Sequence, residues 1–248
     1  MTQGTTTESA HRESATASKR WQQVIDLWRQ HPAFLNLTNA LQGPDRTELT
    51  VSGLVGSAEA ILLRSLWEET GRPALVVTER PDEANDLYDD LSLLLGEDKV
   101  GHFPSRQILP YDFRSPVGEI MGRRISTLSG MLDNKLAVVV CPIRALLEPT
   151  MLVQSLKDHR IHLEKGAEVD PDDIVHSLVT LGFRRVPLVE EVGDFAVRGG
   201  LIDFFTPGAQ APVRVEFFGN EVDTIRTFDV ASQRTVDRTE LVNVLPKR

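Results

Sequence analysis

Ser52-Gly53-Leu54-Val55-Gly56-Ser57-Ala58-Glu59-Ala60 stands between an apolar extended run, Leu49 to Val51, and a helical pattern of Ile61, Leu62, Leu63, Leu66 and Trp67. A glycine-rich turn from strand into helix is where a protein cradles a nucleotide's phosphates. That chemistry needs a Lys for the β- and γ-phosphates and a Ser or Thr hydroxyl for Mg²⁺. Glu59 and Ala60 occupy those two places. A carboxylate there repels phosphate, so Gly53, Gly56, Ser57, Ala58, Glu59 and Ala60 read as a structural turn from which no ligand is expected. Glu59 then sits favourably in the first turn of the following helix.

Working outward, Gly71-Arg72-Pro73 ends that helix, and Ala74 to Val77 reads as a fully buried strand. Pro81 to Leu95 carries Ala84, Leu87, Tyr88, Leu91, Leu94 and Leu95 on one helical stripe, with Pro in its first turn. Val100 to Phe103 is a short strand, a Pro-punctuated loop follows, and a helix is expected from about Val117 to Leu132. Leu136 to Cys141 is another continuous apolar strand, and Ile143 to Leu147 starts a helical turn. Alternating strands and helices, with apolar runs in the strands, predict a parallel sheet covered on both faces. Upstream, Trp21, Val24, Ile25, Leu27 and Trp28 predict a short amphipathic helix stopped by His31-Pro32, with a loop at Gly43-Pro44-Asp45. Residues 1–19 are rich in Ser, Thr, Ala and Glu and read as a disordered head.

After Glu148 the pattern changes. Asp170-Pro171-Asp172-Asp173 is a helix start, Ile174, Val175, Leu178 and Val179 form its apolar stripe, and Gly182 ends it. Strands are expected at 161–165, 195–198, 201–205, 213–218 and 221–228, the last two joined by Gly219-Asn220 as a tight hairpin. Locally joined strands imply an antiparallel sheet carrying one helix. The predicted organisation is a head (1–19), an α/β domain (20–149), an inserted α+β domain (150–235), and a return toward the first domain (236–248).

The 248 residues carry a net charge of −9, which argues against broad binding to a phosphate backbone. A DNA-binding remnant is the weakest reading of the chain. No apolar run approaches a membrane span, no signal-peptide core is present, and a cytoplasmic location is expected. The single cysteine, Cys141, ends an apolar strand and reads as a buried inert thiol. The six histidines show no metal-ligand spacing with Cys or carboxylates, so no metal site is expected. Asp89-Asp90 and Glu190-Glu191 read as solvated surface, and Arg123-Arg124 as exposed to solvent or to DNA. In the hairpin, strict alternation puts Val213, Val215 and Phe217 on one face and Arg214, Glu216 and Phe218 on the other. Arg214 and Glu216 are expected side by side on an exposed face, either as an ordinary charge pair or as part of a binding patch. Arg198, Arg184 and Arg185 are further candidate edges of it, since arginines beside exposed aromatics are typical of protein-binding hot spots.

Two tracts carry a family resemblance. Phe103-Pro-Ser-Arg-Gln-Ile-Leu-Pro-Tyr-Asp112, with Ser115-Pro116 and Arg124 to Leu128, resembles the transcription-repair coupling factors (Mfd). So does Gly193-Asp-Phe-Ala-Val-Arg-Gly-Gly-Leu-Ile-Asp-Phe-Phe205, followed by Val213-Arg-Val-Glu-Phe-Phe-Gly219, Phe228-Asp229 and Ser232-Gln-Arg-Thr235. The resemblance spans roughly residues 47–245. The "VRG…RVEFFG" pattern is shared with UvrB, which keeps an intact Lys-Thr phosphate loop; Ala58-Glu59-Ala60 puts this chain on the coupling-factor side. The resemblance implies a P-loop NTPase-like first domain with a degenerate loop and no ATP hydrolysis in this segment. It implies a second domain of the UvrB interaction type that binds UvrA and recruits it to a stalled RNA polymerase. By motif matching, the UvrA surface falls on Arg185, Arg198, Arg214 and Glu216, with Arg184 sharing the role of Arg185. A further Arg of the UvrB pattern is Ala196 here. The family's ATP- and Mg-dependent translocase, and its polymerase and DNA contacts, are expected beyond residue 248. The alternative reading is an ATP-dependent helicase or excinuclease subunit of the UvrB type.

Overall fold

A computed structural model of the protein describes residues 23–43, 47–106, 118–151 and 153–247. The expected disordered head, Trp21, the proline-rich tract beyond Arg106 and part of the Gly43-Pro44-Asp45 loop lie outside the described residues. Helix α1 covers residues 23–29 and is followed at once by α2, Pro32–Gln42. His31-Pro32 therefore ends one helix and begins another. Pro32 occupies the first turn, where its missing N–H costs nothing, and His31 caps it by accepting the Ala33 N–H on Nδ1 at 3.2 Å. Residues 49–51, expected as a strand, join no sheet. Past the positive-φ residues Gly53 and Gly56, helix α3 (Ala58–Thr70) begins with Glu59 in its first turn.

The first unit is built on strands β1 (Ala74–Thr78), β2 (Val100–His102) and β3 (Val138–Pro142), parallel and in spatial order β1-β3-β2. Helix α4 (Pro81–Leu95) starts on Pro81 and buries Ala84, Leu87 and Leu91 in a core shared with Ala60, Val100, Val138 and Val140. On the other face, α5 (Gly118–Leu132) and α6 (Ile143–Leu147) cover β2 and β3 through Phe103, Val139, Cys141 and Ala145. The sheet is not covered throughout. β1 is one of its two edge strands, and Leu75 and Val77 are exposed by 54% and 43% instead of buried. Cys141 is buried as read, its thiol donating to the Val76 carbonyl at 3.6 Å, and burial raises its pKa.

Helix α7 (Val153–Asp158) leads into the second unit: β4 (Ile161–Glu164), α8 (Pro171–Thr180), β5 (Arg184–Arg185), β6 (Asp194–Arg198), β7 (Leu201–Phe204), β8 (Val213–Phe218), β9 (Glu221–Phe228) and β10 (Thr235–Thr239). Strands β5 to β10 lie in sequence order in one six-stranded sheet, antiparallel except for β5 on β6. Asp170 caps α8 by accepting the Asp172 N–H at 2.9 Å, and the helix lays Ile174 and Leu178 on the sheet. Below them lie Phe195, Ile202, Phe204, Val213, Val215, Phe217, Val222 and Ile225. Val179, read onto the same stripe, is exposed. The β8–β9 hairpin turns at Gly219, whose φ of 64° suits a residue without Cβ.

The sheet residues do not stop near 235. Strand β11 (Leu241–Val244) pairs antiparallel with β4, and Val244 is buried in the second unit's core. The return toward the first unit thus begins at Leu245, which packs on Ile125 and Leu156 while its N–H donates to the Thr206 hydroxyl at 2.8 Å. The seam is close-packed: a Cβ on Gly208 would stand 2.4 Å from the Ser126 Cβ.

Candidate functional site

The site follows from strand alternation. With Phe195, Ile202, Phe204, Val213 and Val215 turned to the α8 core, the intervening residues Asp194, Arg198, Asp203, Arg214 and Glu216 project from the opposite, outer face. A bulge at Glu216/Phe217 shifts the register yet leaves Phe218 on the outer side of the hairpin's end.

Asp203 lies at the centre of this face. Its carboxylate accepts the Arg214 Nε–H at 2.6 Å on Oδ1, the Arg214 Nη2–H at 2.8 Å on Oδ2, and the Arg198 Nη2–H at 2.9 Å also on Oδ2. The Asp203 side chain is only 2% exposed, so two guanidinium groups replace its lost hydration. The Arg214 guanidinium also lies 4.6 Å over the Phe228 ring, and the hydrogen bonds it donates to Asp203 raise its pKa above the ordinary value. On the adjacent strand β6, the buried Asp194 carboxylate accepts from Arg184 Nε at 3.1 Å and from the Glu191 N–H at 3.2 Å. On the other flank Glu216 accepts from Arg226 Nη2 at 2.8 Å.

Arg214 and Glu216 are neighbours on one face as the alternation predicts. They do not pair with each other, because the flanking strands supply nearer partners, Asp203 on β7 and Arg226 on β9. Arg184 and Arg185 separate. Parallel pairing sets Arg184 opposite Asp194 on the outer face and Arg185 opposite Phe195, a core residue. Arg185 is exposed at the sheet's edge, and it is Arg184 that joins the row. Ala196 is buried beneath the row with Val189 and Phe228, so no contact group projects there. Asp194, Asp203 and Arg226 were not singled out from the sequence. Phe218, already on the arginine face by alternation, is 81% exposed and belongs to the site as well.

The electrostatic consequence is directional. At Asp203 and Asp194 the acids are recessed while their outer cations stand outward, Arg198 49% exposed over Asp203 and Arg184 62% over Asp194; at the flank the order reverses, Glu216 being more exposed than Arg226. A row close to neutral by count therefore presents positive charge, even though the whole chain is acidic. Beside it lie Phe218 and the half-buried Leu201. Exposed arginine next to exposed aromatic surface suits a protein partner with acidic groups and an apolar recess.

Other predicted positions resolve differently. Arg124 is neither solvent- nor DNA-facing: it is buried 4.0 Å over the Phe103 ring, donating to the Pro104 carbonyl at 2.7 Å and to Glu148 at 3.2 Å. Arg123 stays on the surface with Glu119. His162 pairs with Asn243 Oδ1, His159 with the Ser155 carbonyl, and no metal-holding cluster occurs among the described residues. Nor, among them, is any helix long and apolar enough to cross a membrane.

A family model for the UvrB interaction domain matches residues 161–248. The chain is 32% identical over 196 residues to the transcription-repair-coupling factor of Staphylococcus haemolyticus (strain JCSC1435), covering 79% of this chain and 17% of that protein. It is 28% identical over 215 residues to the transcription-repair-coupling factor of Bacillus subtilis (strain 168), covering 87% and 18%. That of Staphylococcus aureus (strain USA300) is 30% identical over 194 residues, covering 78% and 16%. The chain spans less than a fifth of the length of these relatives.

Proposed function

We infer that this chain, a member of the transcription-repair-coupling factor family carrying a UvrB interaction domain, docks UvrA through the outer face of its six-stranded sheet. The observation that carries this reading is the outward presentation of Arg198 and Arg184 over recessed carboxylates, beside the exposed Phe218. Arg198, Leu201 and Phe218 form its centre, and Arg214 and Glu216 its floor and flank. Arg185, at the sheet's edge, is a peripheral contact. UvrA is thereby brought to an RNA polymerase stalled on damaged DNA, the polymerase and DNA being engaged elsewhere in the full-length protein, in the cytoplasm.

The first unit serves this role as a scaffold of P-loop NTPase descent whose loop at 53–60 holds no nucleotide. Glu59 and Ala60 support that reading over a UvrB-type ATPase, since neither can do the work of the Lys and hydroxyl the chemistry requires.

The test is a calorimetric titration of UvrA with the 248-residue chain. Arg198→Ala and Phe218→Ala are each expected to weaken binding by about tenfold or more. Wild-type affinity in both variants would refute the docking surface.

A further inference from the structure

Arg198 and Arg214 come from different strands, β6 and β8, and neither has a stem stiff enough to hold a guanidinium in one place. Between them stands one buried carboxylate on β7 that touches both. Arg214 is only 15% exposed; its Nε and Nη2 are committed to Asp203 and its face lies on Phe228. Arg198 spends a single Nη2 on Asp203 and keeps its remaining donors for solvent or a partner. The three charges form a graded stack: a buried anion, a half-sunk cation locked by two bonds, and an outer cation held by one.

We propose that Asp203 is the positioning residue of the docking surface: too deep to reach a partner, it fixes Arg214 and through the same carboxylate aims Arg198 outward beside Leu201. Arg214, on this view, acts mainly as the inner half of the clamp and Arg198 as the reaching group. An aimed arginine loses less side-chain freedom on contact with an acidic group than a free one, which lowers the entropic cost of docking. This inference rests on the UvrA-docking reading, and its failure can be told apart from the failure of that reading.

The experiment measures UvrA affinity and thermal melting for the full chain, Asp203→Asn, Arg198→Ala and the double variant. Asn keeps the shape of Asp but removes the charge that holds two guanidinium groups. Asp203→Asn is expected to weaken binding by about tenfold, and to add little to Arg198→Ala in the double variant, because the group it aims is already gone. A general structural role predicts instead that the two losses multiply, and that outcome overturns the proposal. Wild-type affinity in Asp203→Asn, with a loss in Arg198→Ala, also overturns it while leaving the docking surface intact. If no variant weakens UvrA binding, the docking reading itself fails and the inference goes with it. Should Asp203→Asn not fold, guanidinium NMR on the wild-type chain decides: the Arg214 Nε–H is expected to exchange slowly with solvent. Rapid exchange there would mean that no clamp exists.

Discussion

Among the described residues, two arginines sit over aromatic rings and against carboxylates, and they do opposite work. In the first unit Arg124 is buried on Phe103 while its acid, Glu148, retains some solvent. In the second, Asp203 is the buried partner, and Arg214 on Phe228 is the one nearer solvent, with Arg198 further out still. When the cation is inside, its Nη1 donates inward to the Pro104 carbonyl and Glu148, its Nη2 is buried without a partner among the described residues, and the group ties the loop after β2 to the end of α6. When the anion is inside, it draws cations to the surface and leaves donors over. Which member of an ion pair is buried thus separates a brace from a binding face.

The contrast is broken most directly at Arg124. Arg124→Ala leaves a side-chain-sized void and leaves Glu148 with only the Arg106 N–H at 2.8 Å and Arg144 at 3.8 Å, and a loss of about 3–5 kcal/mol is expected. In a chain of this size that lowers the melting midpoint by on the order of 10 °C, and calorimetric or circular-dichroism melting would read it. A change within experimental error would mean that the first ion pair is no brace.

Next in size is Arg214→Ala. It strands the Asp203 carboxylate, and because Arg198 can still partly neutralise it, a loss of about 2–3 kcal/mol is expected. Arg198→Ala, measured alongside it by urea titration, should cost less than about 1 kcal/mol, as for an exposed pair. Equal losses would erase the distinction between the inner and outer arginines. For the same reason a fall in UvrA binding in Arg214→Ala mixes lost contact with lost folding, whereas Arg198→Ala reports contact alone.

A pH-dependent effect belongs to the first unit alone. His102 in β2 is buried, stacked on Tyr88 at 5.1 Å, with no partner for Nδ1 among the described residues. Burial first, and then the nearby Arg123 charge, lower its pKa from 6.5 to about 4, with Asp89 opposing. A base with a depressed folded pKa stabilises the fold fully above its unfolded pKa. That contribution is lost as pH falls from about 6.5 toward 4 and levels off below. The loss expected is about 1–2 kcal/mol, after allowing for screening by solvent. His102→Asn should flatten that part of the pH–stability curve; an unchanged curve would show that other groups carry it.

Much of the architecture was legible because its signals are local. Pro81 and Pro171 mark helix starts, the apolar stripe of α4 and the alternation of β8 declare their buried faces, and Gly219-Asn220 marks the hairpin. Where local signals carry two meanings the reading went astray. His31-Pro32 is as good an N-terminus as it is a stop, so α2 went unseen. The apolar run of β1 suits a central strand, yet β1 lies at the edge and leaves Leu75 and Val77 uncovered. The candidate site was legible as residue types on a face, including Phe218, whose position follows from the same alternation as Arg214.

By itself the sequence determined the helix starts, the alternation that sends Arg214, Glu216 and Phe218 to one side, and the presence of a carboxylate and a methyl group at Glu59 and Ala60, where phosphate chemistry needs Lys and a hydroxyl. Each of these depends on residues within a few positions of one another. The tertiary structure alone decided that Arg214 pairs with Asp203 and not with Glu216, that Arg184 rather than Arg185 joins the row, and that Arg124 is buried. Strand order and register set those outcomes, bringing side chains from β6, β7 and β8 within 3 Å across gaps that no local pattern spans.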